Sequence, residues 1–239
     1  MNQNNGLIGR RNFLNLTGNG GIALMAAVAG SAFWGGVQAN RAIAATVEPP
    51  SPDAALKRLM EGNQRFVQHK AKHPDQSEAR IQELAQAQHP FATLLTCADS
   101  RVPGEILFDE GLGDLFDIRV AGNIVTPEVL GSLEYAVAIL GTPVIMVLGH
   151  ERCGAVTAAV QGERLPGNMN SFVKAIKPAI AKAKDESGDP VDNAVIANVR
   201  YQIEKLKQNS TILSERLLDE KLKIVGGRYD LDTGKVTLI

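Results

Sequence analysis

Two stretches of the chain, Phe91 to Thr96 and Pro143 to Gly149, are uninterrupted by any charged residue and carry β-branched side chains. Runs of that length and composition predict strands buried on both faces, as in parallel sheets. A third strand is expected at Leu115 to Val120. Helical periodicity begins where Asp53 is placed to cap a helix through Val67, and returns over about Gln76 to Gln88. That second helix should stop before His89-Pro90, because the residue preceding a proline is pushed out of the helical region. Further helices are expected at Pro127 to Leu140, after Cys153, within Asn170 to Asp185, and at Val191 to Gln208. Two strands, Leu222 to Tyr229 and Lys235 to Ile239, close the chain as a hairpin around Asp232-Thr233-Gly234. The alternation of strand and helix predicts one α/β domain: a mostly parallel central sheet flanked by helices, with an antiparallel edge strand at the carboxyl terminus. Residues 45–90 would be a linker and an N-terminal helical arm outside the sheet, and residues 91–239 the core.

The first 44 residues break this pattern. Arg10-Arg11-Asn12-Phe13-Leu14 resembles the twin-arginine export signal, and no charge separates Arg11 from Arg41. Gly18 to Ala39 is apolar and rich in Gly and Ala, as a signal core should be, and Ala42-Ile43-Ala44 offers a small-x-small cleavage site, with Val37-Gln38-Ala39 as a second choice. Left uncleaved, about 20 apolar residues would also serve as a membrane anchor. The expected location is therefore the periplasm or another extracytoplasmic lumen. Without this segment 195 residues remain, with 22 basic against 26 acidic side chains, a formal charge of −4. That is ample for one core, and without a basic run it gives no support for nucleic-acid binding.

Candidate chemistry sits just beyond the two apolar runs. Cys97-Ala98-Asp99-Ser100-Arg101 follows the first, and His150-Glu151-Arg152-Cys153-Gly154 follows the second, so both cysteines and one of the four histidines fall at the expected carboxyl ends of strands. Ligands bind at that edge in open α/β sheets. Two thiolates and an imidazole suit Zn2+, and three protein ligands leave a fourth position open, as catalytic zinc sites do. A Cys97–Cys153 disulfide is the alternative use of the same sulfurs in an oxidising compartment. His69, His73 and His89 lie among Gln, Lys and Pro and read as solvated.

The two segments resemble the signatures of the β-class carbonic anhydrases, Cys-x-Asp-x-Arg in Cys97, Asp99 and Arg101, and His-x-x-Cys-Gly in His150, Cys153 and Gly154. The likeness extends through Phe108 to Phe116, Arg119 to Ile124 and Gly227 to Gly234. It implies one Zn2+ per chain on Cys97, His150 and Cys153, and reversible hydration of carbon dioxide to bicarbonate and a proton by a zinc-bound hydroxide. Asp99 would orient that hydroxide and Arg101 would hold Asp99. Gln88, Phe116, Ala121 and Tyr135 match positions lining the substrate pocket of plant-like members, whose site is constitutively open. Leu94 stands where bicarbonate-switched members carry a tryptophan. The resemblance also implies a homodimer or dimer of dimers. Zinc-dependent hydrolysis of carbonyl sulfide or carbon disulfide is a second reading of the same site, and an exported, non-catalytic binding protein with a Cys97–Cys153 disulfide is a third.

Overall fold

The computed structural model describes residues 48–162, 164–183 and 187–239, so the expected export signal lies outside the described residues. Ser51, rather than Asp53, starts the first helix. Its Oγ accepts the Ala54 N–H at 3.2 Å, and Pro52 takes the first helical position, where a missing N–H leaves no bond unmade. Helix α1 (Pro52–Val67) lays Ala55 and Leu59, both fully buried, among Leu94, Phe108, Met146 and Leu148. Asn63 fixes it there, donating to the carbonyls of Leu107 and Gly234 and accepting the Val236 N–H. Helix α2 (Glu78–Leu84), capped by Ser77, is shorter than its pattern predicts and buries no residue. The polar Gln86-Ala87-Gln88 stretch offers nothing apolar to extend over, and Gln88 is exposed in irregular chain.

Five strands form one sheet: β1 (Ala92–Thr96), β2 (Leu115–Arg119), β3 (Val144–His150), β4 (Lys223–Tyr229) and β5 (Val236–Leu238). Their order is β2-β1-β3-β4-β5, with every pairing parallel except the last. This is the expected sheet with its antiparallel carboxyl-terminal edge. β1 and β3 are buried throughout, as their apolar runs require. Leu94, Met146 and Leu148 face α1, and Leu95, Ile145 and Val147 pack on the opposite side with Leu133 of α4 (Pro127–Ala138) and Val199 of α7 (Pro190–Asn209). Close approach of α7 depends on glycine: a Cβ on Gly149 would stand 2.7 Å, and one on Gly226 2.9 Å, from methyl groups of Val199. Helices α5 (Gly154–Gln161) and α6 (Asn170–Ala183) complete that layer.

Two helices escape the sequence pattern. α3 (Gly104–Leu107) is too short to display a period, and α8 (Thr211–Leu218) follows α7 after the single extended residue Ser210, so their patterns run together. No helix among the described residues is long and apolar enough to cross a membrane. The strand order reverses between β1 and β3, and the carboxyl ends of those strands border the crevice where such sheets bind ligands.

Candidate metal centre and active site

Register places the cysteine and histidine side by side. Thr96 pairs with Leu148, so Cys97 leaves β1 beside Gly149, and His150 is the last residue of β3. Glu151 N–H then bonds the Tyr229 carbonyl, and Arg152, at φ +50°, reverses the chain. That left-handed residue brings Cys153 to the N-cap of α5, facing the same point as His150. The ligand atoms of Cys97, His150 and Cys153 all lie within 4.8 Å of one another, and all three residues are buried.

These atoms fit a metal ion. The sulfurs are 4.0 Å apart, close to the ~3.8 Å that tetrahedral geometry and a Zn–S bond of about 2.3 Å demand. A disulfide would need about 2.05 Å, and both cysteines are free. His150 Nδ1 lies 2.8 Å from the Glu151 carbonyl oxygen, which fixes the proton on Nδ1 and leaves Nε2 as the acceptor. Nε2 is buried with no hydrogen-bond partner, a cost a protein core rarely bears without a ligand to relieve it. Cys97 is drawn down to about 4, first by the hydrogen bond from Cys153 and also by the Gly122 amide, against its burial. Cys153 moves the other way, through the same bond and burial. A dication held between the two sulfurs would bind them as thiolates.

Asp99 and Arg101 stand beside this cluster. Asp99 Oδ2 is 3.8 Å from His150 Nε2. Arg101 grips the carboxylate with both ends, Nε to Oδ1 at 2.9 Å and Nη2 to Oδ2 at 2.8 Å, and its own N–H adds a third bond to Oδ1. That pairing holds the Asp99 carboxyl well below the usual carboxylate range. Asp99 is therefore ionised and directed, with Arg101 occupying one side of it.

The other expected pocket residues are placed less directly. Ala121 opens the 3-10 turn Ala121–Asn123, whose Gly122 N–H donates to Cys97 Sγ at 3.3 Å. Phe116 of edge strand β2 and exposed Tyr135 of α4 pair with each other, ring centroids 6.2 Å apart. Gln88 is exposed and away from regular structure, and His69, His73 and His89 are exposed as expected. None of the four described cavities of 330–450 Å³ is lined by Cys97, His150 or Cys153.

Three contributors carry no motif of their own. Arg119, at the end of β2, donates to the carbonyls of Cys97 and Asp99 and so supports the whole Cys-x-Asp turn. Gly122 faces the sulfur. Glu151 ties the His-x-x-Cys turn to Arg228 and to the Leu231 N–H. The available signal for the first two was the Arg119 to Ile124 segment of the family likeness, which places them without giving a role.

The family model described as carbonic anhydrase matches residues 92–236. Carbonic anhydrase 2 of Mycobacterium tuberculosis is 42% identical over 192 residues, covering 79% of this chain and 93% of that protein. A carbonic anhydrase of Mycolicibacterium smegmatis is 41% identical over 192 residues, with the same coverage of 79% and 93%. Among solved structures, a tetrameric β-carbonic anhydrase of Sordaria macrospora superposes with a TM-score of 0.64 at 25% identity, covering 78% of this chain and 97% of that one. A Coccomyxa β-carbonic anhydrase in complex with acetazolamide gives 0.60 at 28% identity, covering 77% and 86%. By matched residues, by identity over most of its length and by fold, the chain belongs to the β-class carbonic anhydrase family.

Proposed function

We propose that Cys97, His150 and Cys153 hold one Zn2+ and that the protein hydrates carbon dioxide reversibly to bicarbonate and a proton. The observation that carries this reading is the buried, unpartnered His150 Nε2 facing two sulfurs at tetrahedral separation. Zinc held there supplies a Lewis acid that brings the pKa of a water toward neutrality, providing the nucleophile that a weak electrophile needs. The chain's own part is orientation. Asp99, kept ionised by Arg101, offers Oδ2 as hydrogen-bond acceptor beside the ligand cluster and fixes the direction of the attacking oxygen's lone pair. The same grip would keep the carboxylate from turning onto a metal held by the three ligands. Two residues support an open site without a bicarbonate switch: Asp99 is engaged by Arg101, and Leu94, at the switch tryptophan's position, is wholly buried in the core. The test is zinc content together with hydration rate in the purified protein; absence of zinc, or a zinc protein without hydration, would refute the proposal.

A homodimer or dimer of dimers fits the same reading. β2 is a parallel strand with one unpaired edge, and Ile106 of α3 and Tyr135 of α4, the helices that touch it, are exposed; parallel strands are ordinarily covered. The related Sordaria enzymes are tetrameric. A monomer on sedimentation would remove this part of the proposal. We further read residues 1–44 as a twin-arginine signal that delivers the folded enzyme to an extracytoplasmic compartment; a Lys-Lys replacement of Arg10 and Arg11 that left export unchanged would contradict it.

A further inference from the structure

Helix α7 carries two fully buried amides, Asn198 and Gln202, on a face otherwise built from Val195, Val199 and Leu206. Burying two amides is unfavourable unless every polar atom is paired. Here each is, and the partners form one continuous chain of bonds. Asn198 Nδ2 donates to the Gly122 carbonyl at 2.9 Å, and Gln202 Nε2 donates to Asn198 Oδ1 at 2.9 Å. Gln202 Oε1 accepts the Val125 N–H at 2.9 Å, and Lys205 Nζ, one turn on, donates to the Val125 carbonyl at 2.7 Å. None of these bonds serves α7's own backbone; three of the four end on the segment 121–125.

That segment turns sharply, with Gly122 at φ +73° and Asn123 at φ +42° as consecutive left-handed residues. Gly122 is gripped at its carbonyl by Asn198, while its own N–H points at Cys97 Sγ, 3.3 Å away. An N–H directed at a thiolate withdraws charge from it, and two thiolates on one zinc leave the metal a weaker acid than neutral ligands would.

We infer that Asn198 and Gln202 are positioning residues for the metal centre: by fixing the segment 121–125 they aim the Gly122 N–H at the Cys97 sulfur and keep that ligand a weaker donor. This rests on the zinc reading above. Lys205 fastens the outer end of the same chain of bonds.

The test uses the full chain with Co2+ in place of zinc, whose thiolate-to-metal charge-transfer band reports sulfur donor strength. Asn198→Leu and Gln202→Met each remove two of the four bonds, the one between them being common to both, and Lys205→Met removes one. The band should move to longer wavelength in the order Asn198→Leu, Gln202→Met, Lys205→Met, as the sulfur loses its N–H. In the zinc forms kcat/KM should fall by about tenfold for Asn198→Leu, the usual effect of losing an outer partner of a metal ligand, with zinc still bound. Should Asn198→Leu fail to fold, the other two variants decide by the same order. A band unmoved in the variants that fold, whatever their activity, overturns the inference and leaves the amides a packing role only. A wild-type chain that takes up Co2+ without any thiolate band refutes the zinc reading itself, a separate outcome.

Discussion

Gly122→Ala is the substitution on which fold and site bear most directly. Two penalties add. At φ +73° an alanine accepts a left-handed backbone that L-residues avoid by about 1–2 kcal/mol. Its Cβ would also stand 2.7 Å from Ile176 Cδ1 and 3.2 Å from Ala155 Cβ. Ile176 is fully buried, so overpacking adds about 1–3 kcal/mol, nearer the lower figure because a δ-methyl can rotate. The expected loss is about 2–4 kcal/mol. For a folded unit of this size that lowers Tm by roughly 5–15 °C. Urea unfolding followed by circular dichroism and calorimetry measure it. Ile176→Val removes the clashing methyl and alone costs about 0.5–1.5 kcal/mol. In the Gly122→Ala background it should instead recover about 1 kcal/mol, leaving the backbone penalty. A Tm within about 2 °C of wild type, or strict additivity of the two substitutions, would refute the account of this turn.

Cys153→Ser should lose zinc along with activity, since a hydroxyl is a poor substitute for a thiolate; full zinc retention by metal analysis would remove Cys153 from the ligand set. Asp99→Asn should keep zinc and lose most hydration activity in stopped flow, and full activity would contradict the orienting role. Asp117 on β2 is pushed up to about 6, first by burial and then by the charge of Glu105. Its neutral form is the one favoured by folding, so this contribution is complete below the ordinary carboxylate value near 4 and is lost as pH rises through about 6. Asp117→Asn should therefore gain about 2–3 kcal/mol on wild type between pH 4 and pH 8 in denaturant titrations; a constant difference across that range would show that the group does not titrate there.

Much of this architecture was legible in the chain. The runs at 91–96 and 143–149 gave β1 and β3 because a strand buried on both faces has no polar positions to alternate, and the ligands follow from where those runs end. Cys97, Asp99, Arg101, His150 and Cys153 converge because each signature lies within a few residues of a strand end, where local sequence fixes geometry. Features set by distant partners were not legible. The helix start at Ser51 turned on which of two capping side chains met an amide, α8 was hidden by its junction with α7, and the early end of α2 reflects the lack of an apolar face. The bonds from Asn198 and Gln202 to the segment 121–125 span about 76 positions and have no local pattern.

Stopped-flow hydration of carbon dioxide by the purified full chain, with zinc determined on the same sample, tests the central claim most directly. Fast hydration with about one zinc per chain, the count of a catalytic site with three protein ligands, is the result expected. Absence of zinc with Cys97 and Cys153 joined in a disulfide, or one zinc per chain without hydration, would contradict it.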